Sequence, residues 1–157
     1  MRPVALVLCT LSTLLFFVSA APAAQAAGPR IDRGERGIVR AINHARARHG
    51  LPRLHAGGRL ARAADGHTRS MLAGDYFGHG DFASRVRRYV SFRRLGETLA
   101  WSSRCGARQF VRMWLHSPPH RAVLLSRGFR RVGIGRRVGR LGAQRACIVT
   151  ADFASRR

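Results

Sequence analysis

Apolar positions recur at helical spacing soon after residue 35. Ile38, Ile42 and Ala45 share one face, with Arg40, Arg46 and Arg48 off it. Gly50 supplies a C-terminal stop. Leu51-Pro52-Arg53-Leu54 continues as an extended connector, because proline keeps the residue before it out of the helical region. A second helix is predicted from Gly58 to Ala73, with the stripe Leu60, Ala64, His67 and Met71. The glycine-rich segment Gly74 to Asp81 predicts a loop, Ser84 to Tyr89 a short helix, and Leu95 to Trp101 a strand or tight extended segment. Phe110, Val111 and Trp114 give a third helix, about Ala107 to Leu115, whose apolar face belongs to the core. Ser117-Pro118-Pro119 breaks it and places Pro119 in the first turn of a short helix, His120 to Leu125. The period then changes to two. Val132, Ile134 and Arg136 alternate with glycines, Ile148 to Phe153 alternates again, and Gly139 to Gln144 makes the turn. Helices followed by a closing antiparallel hairpin predict an α+β fold in which helices cover a sheet.

The first 26 residues follow a different pattern. Arg2 is a positive start, Val4 to Val18 is an uncharged apolar run, and Ala24-Gln25-Ala26 is a small-residue cleavage site. The run is short for a bilayer span, which needs roughly 20 apolar residues. The expected organisation is a signal peptide over 1–26 cut after Ala26, a short polar lead-in over 27–36, and one domain over 37–157. After cleavage the chain is expected to be secreted, monomeric and not membrane-spanning. Cys9 leaves with the leader, so an exported chain keeps one pair, Cys105 and Cys147. Parity and export predict a disulfide between them, stabilising by roughly 3–4 kcal/mol through loop closure.

Charge adds a further constraint. All 29 basic residues are arginine, against seven carboxylates, for a formal net charge of +22. Such a surface attracts anionic polymers and anionic lipid without sequence readout. The runs Arg87-Arg88, Arg93-Arg94, Arg130-Arg131 and Arg136-Arg137 read as solvated faces. No aromatic–basic interleaving supports sequence-specific nucleic-acid recognition.

Several short blocks, taken in order, resemble the CAP/SCP superfamily (cysteine-rich secretory proteins, antigen 5, pathogenesis-related 1), in its bacterial secreted branch. They are Ile42-Asn43 with Arg46, Gly50-Leu51 with Leu54, Ala64 with His67 and Met71, Phe77-Gly78-His79, Gly96-Glu97-Thr98-Leu99-Ala100, Trp114 with Ser117-Pro118-Pro119-His120-Arg121, Val132-Gly133-Ile134-Gly135, and Thr150-Ala151-Asp152-Phe153. The resemblance covers roughly Ile38 to Phe153. It implies a three-layer α-β-α sandwich with a small antiparallel sheet and a cavity where His79, Glu97 and His120 converge. Two departures stand out. Thr98 replaces the family's asparagine after the glutamate. The second cavity glutamate of many animal and plant members has no acidic counterpart between Glu97 and Asp152, Ser117 being the nearest equivalent.

Two imidazoles and a carboxylate suit zinc or another divalent cation with an open fourth position, and they equally suit a metal-free polar network. His67, on an apolar stripe, reads as a core histidine. His44, His49, His55 and His116 read as surface or helix-end residues, and Asn43 and Arg46 as structural hydrogen-bonding groups. No nearby carboxylate orients His120 toward Ser117 for serine chemistry. The leading functional expectation is a non-enzymatic extracellular binding module for a partner, a lipid or an anionic envelope polymer. The alternatives are a metal-assisted hydrolase, with His79 and His120 as ligands and Glu97 as ligand or general base, and a nonspecific polyanion binder.

Overall fold

The structure is a computed structural model that describes residues 31–155; the expected leader over 1–26 and its expected cleavage site lie outside them. Helix α1 (Arg33–Ala47) begins inside the segment expected to be a polar lead-in. Asp32 and Glu35 form a reciprocal capping box, satisfying two orphan amides and so setting the start ahead of the first buried apolar residue. There follow β1 (His55–Ala56), α2 (Gly58–Ala73), α3 (Phe82–Arg87), β2 (Leu95–Ser102), α4 (Ala107–His116), α5 (Pro118–Leu124), β3 (Arg131–Leu141) and β4 (Gln144–Ala154).

The sheet order is β1-β3-β4-β2. The two long pairings are antiparallel, whereas β1 adds to β3 in parallel, so the sheet is mixed rather than wholly antiparallel. The two-residue strand β1 arises from the Pro52 connector running alongside the start of β3, with His55 donating its amide to Arg130. The hairpin turn is tighter than expected, Gly142-Ala143 alone, with Gly142 at φ 56°. Glycine at the first of two central positions is the pattern of a type II′ hairpin turn.

Helices cover both faces. On one side α1, α4 and α5 bury Ile38, Ile42, Phe110, Trp114 and Leu124 against Val132, Ile134, Val149, Ala151 and Phe153. On the other, α2 and α3 pack Leu60, Met71 and Val86 against Leu99, Ile148 and Ala154. Strand β4 is therefore buried continuously from Ala146 to Ala154, because helices cover both of its faces. The arrangement is the three-layer α-β-α sandwich.

Two features lock it. Cys105 and Cys147 form a disulfide across 42 residues, which joins the loop before α4 to β4. Arg46 is not off the buried face but fully buried. Its guanidinium donates to the carbonyls of Pro52, Leu124 and Ser126, collecting the free carbonyls at the end of α5. Asn43 exchanges two hydrogen bonds with the backbone of Leu54, so both residues are structural. Arg136 and Arg137 are also more than solvated faces: they pair with Asp32 and Asp65.

Candidate functional site

The site forms along β2, an edge strand, where the two helical layers meet. Glu97 of β2 stands directly opposite Asp152 of β4 in the register. Both carboxyl groups point to the α2–α3 side, and their side chains are 1% and 0% exposed. A buried carboxylate must be paired, and the partner is Arg85 of α3. Its guanidinium contacts Glu97 Oε2, reaches Asp152 Oδ2 at 2.9 Å and Oδ1 at 3.2 Å, and donates to the Ala63 carbonyl at 2.9 Å. Asp81 caps α3 by accepting from the Ser84 amide, which fixes the helix that carries Arg85.

His79 comes from the α2–α3 loop. That loop is held by His67, whose Nε2 lies 2.9 Å from the Gly78 carbonyl, so the core histidine has a positioning role. Gly80, at φ 57°, turns the chain immediately after His79. His79 Nδ1 shares a 2.7 Å hydrogen bond with Glu97 Oε1, leaving the rest of a half-exposed ring facing outward. His120 lies in the first turn of α5, and its ring centroid is 6.0 Å from that of His79. All three expected residues are thus brought to one place, two of them in direct contact.

Burial and charge set the protonation. Burial pushes the Glu97 carboxyl up to about 9, the neighbouring Asp152 adds to the rise, and Arg85 opposes it. Burial raises Asp152 as well, again against Arg85. One guanidinium faces two carboxyl groups, so the cluster is neutral when the pair keeps one proton between them. His79 is lowered by burial and by Arg85, and His120 by burial and by His79. Both imidazoles are neutral at neutral pH.

Arg85 and Asp152 are the two site residues that sequence reasoning missed. Asp152 places a second carboxyl group beside Glu97. Thr98 lies on the opposite face of the sheet, fully buried, its hydroxyl without a hydrogen-bond partner. The other histidines named as surface residues, His44, His49, His55 and His116, are exposed.

The fit to a divalent metal is poor. Each Glu97 oxygen already meets a nitrogen, one from His79 and one from Arg85. A ligating carboxylate would have to leave both. Among the described residues, no group of three His, Cys, Asp or Glu is placed to hold a metal ion.

A separate concavity of about 930 Å³ runs between α1 and α4. Ala41, Ala45, Val111 and Leu115 supply apolar lining, and Arg40, Arg48, Arg108 and Arg112 with His44 and His49 supply the basic groups. Among the described residues, no carboxylate lines it.

The family model described as "Cysteine-rich secretory protein family" (CAP) matches residues 39–152. An extracellular protein containing an SCP domain from Bacillus anthracis is similar in structure, with a TM-score of 0.68 and 27% identity, over 87% of this chain and 45% of that one. An outer surface protein of Borrelia burgdorferi shares the fold at TM-score 0.68 and 22% identity, over 83% of this chain and 100% of its own. A Bacillus subtilis protein named as the uncharacterized membrane protein YlbC is 32% identical over 107 residues, 64% of this chain and 31% of that protein. The chain therefore spans about a third of that relative's length. No helix among the described residues is long and apolar enough to cross a membrane. With the family model matching most of its length and these relatives sharing its fold, the chain belongs to the cysteine-rich secretory protein (CAP) family.

Proposed function

We propose that this chain is an extracellular, non-enzymatic binding module whose ligand is an anionic amphiphile held between α1 and α4. One observation carries the reading: the α1–α4 groove combines apolar lining with four arginines and, among the described residues, no carboxylate. A bare polyanion would use the arginines and leave the apolar lining wet. A neutral lipid would leave the guanidinium groups without a counter-charge. An acyl chain ending in a carboxylate or phosphate uses both.

The site around Glu97 supports a non-enzymatic role. A general base must reach the proton that it takes, and the Glu97 side chain is 1% exposed with both oxygens engaged. The disulfide supports an oxidising compartment, as do the extracellular and surface descriptions of the Bacillus anthracis and Borrelia proteins.

The test expresses the full chain with its leader, recovers it from the medium and titrates it with oleate. Saturable binding is expected, at least tenfold weaker for oleyl alcohol and for the Arg108→Glu/Arg112→Glu variant. Equal binding of the acid, the alcohol and the variant overturns the proposed ligand. Retention of an intact Met1 inside the cell overturns the proposed location.

A further inference from the structure

We infer that the Arg85 guanidinium is the resident cation of the His79–Glu97–His120 site and excludes a divalent metal from it. Four observations lead there. First, Arg85 reaches both buried carboxyl groups at once, contacting Glu97 Oε2 and bridging to both Asp152 oxygens. Second, it is anchored from behind by the Ala63 carbonyl of α2, so the contact is built into the packing of α3 on α2. Third, Glu97 spends its other oxygen on His79 Nδ1, which turns a potential ligating pair into a hydrogen bond. Fourth, Asp152 has no exposed side-chain surface from which to ligate anything but its present partner.

Without Arg85 the balance reverses. Two carboxyl groups would stay buried with no counter-charge, an arrangement that costs far more than the paired one. Glu97 Oε2 would lose its partner beside two imidazoles whose rings are 6.0 Å apart. Two imidazoles and a freed carboxylate are a zinc ligand set, with water or Asp152 completing the shell. Arginine suits the resident role because its planar fork serves two carboxyl groups and it keeps its charge at every relevant pH. A lysine would supply charge but only one compact donor head.

The experiment compares wild type, Arg85→Lys and Arg85→Gln, in the full-length exported protein, by thermal unfolding with and without zinc and by competition with a chelating dye. Wild type and Arg85→Lys should melt at the same temperature with or without zinc. Arg85→Gln should melt lower in the absence of metal, be raised by zinc, and bind zinc at least tenfold more tightly than wild type. Adding His79→Ala or Glu97→Gln to it should abolish that gain. Two results overturn the inference. One is stoichiometric zinc binding by wild type that Arg85→Gln does not tighten. The other is an Arg85→Gln protein, folded or unfolded, whose melting responds to zinc no more than wild type.

Discussion

Glu97 shows how far a single side chain departs from its sequence expectation. A glutamate in an apolar strand between two histidines predicts an imidazole partner, and His79 is that partner. The stronger partner, Arg85, could not be read from spacing. It contacts Glu97 12 residues away and Asp152 67 residues away, across a helix–sheet interface. Nothing local marks one arginine among 29 as buried and paired. The same holds for Arg46, whose carbonyl partners at Leu124 and Ser126 lie about 80 residues further along the chain. The Glu97 environment has a measurable consequence. Its carboxyl is raised from 4.5 to about 9 in the folded chain. Across that window the folded state holds a proton that the unfolded state has released, so stability falls as pH rises. The lowered histidines act the other way, weakening the fold as pH drops below their ordinary range. Between pH 7 and 9 the raised carboxyl groups dominate, and release of one proton from the Glu97–Asp152 pair gives a slope of about 1.4 kcal/mol per pH unit. Urea unfolding of wild type should show this loss, and Glu97→Gln should flatten it. A wild-type stability that is level or rising from pH 7 to 9 would contradict the assignment.

At the scale of elements, α1, α2 and α4 were legible because their apolar stripes repeat over several turns. Strand β2 showed only as a short apolar segment, strand or tight extended, whereas the closing hairpin was legible from alternation and turn residues. The short strand β1 was not, since two residues carry no period, and the two-sided burial of β4 depends on which helices cover it. The glycines of β3 carry a packing message. A Cβ on Gly133 would lie 2.1 Å from the Leu60 backbone, and one on Gly135 would lie 2.4 Å from that of Ala64. These contacts let α2 lie directly on the sheet, which brings Ala63 within reach of Arg85 and His67 within reach of the His79 loop. Gly133→Ala should displace α2 and cost more than the usual 1–3 kcal/mol of an overpacked core. Gly58, on the same helix, has open space at its Cβ position. Gly58→Ala should be neutral or slightly stabilising by removing backbone freedom from the unfolded chain. Chemical denaturation of the two variants checks this, and equal midpoints would refute the proposed close packing.

At the scale of the whole molecule, four of the seven carboxylates are spent on arginines within the fold, and Glu35, Asp75 and Asp81 accept from backbone amides. Asp65 pairs with Arg69 and Arg137, Asp32 with Arg136, and Glu97 and Asp152 share Arg85. The α1–α4 groove in particular carries four arginines with no acidic residue in its lining among the described residues. The proposed amphiphile binding and generic polyanion binding are expected to be superimposed, and salt separates them. A polyanion held by phosphate or sulfate contacts releases counterions, so its log affinity falls with log salt at about 0.9 per contact for duplex DNA. Six such contacts would lose roughly a thousandfold between 50 and 200 mM salt. An amphiphile in the groove keeps its apolar contribution as salt rises, because burial of an acyl chain is not screened. Duplex DNA of any sequence should bind at low salt and dissociate by about 200 mM. Oleate should keep most of its affinity over the same range, and Ala41→Asp, which charges the partly exposed groove lining, should weaken oleate while leaving DNA almost unaffected. If oleate and DNA fall away together along one salt curve, and Ala41→Asp moves neither, the groove holds nothing that charge alone does not explain, and the α1–α4 face is a cationic surface only.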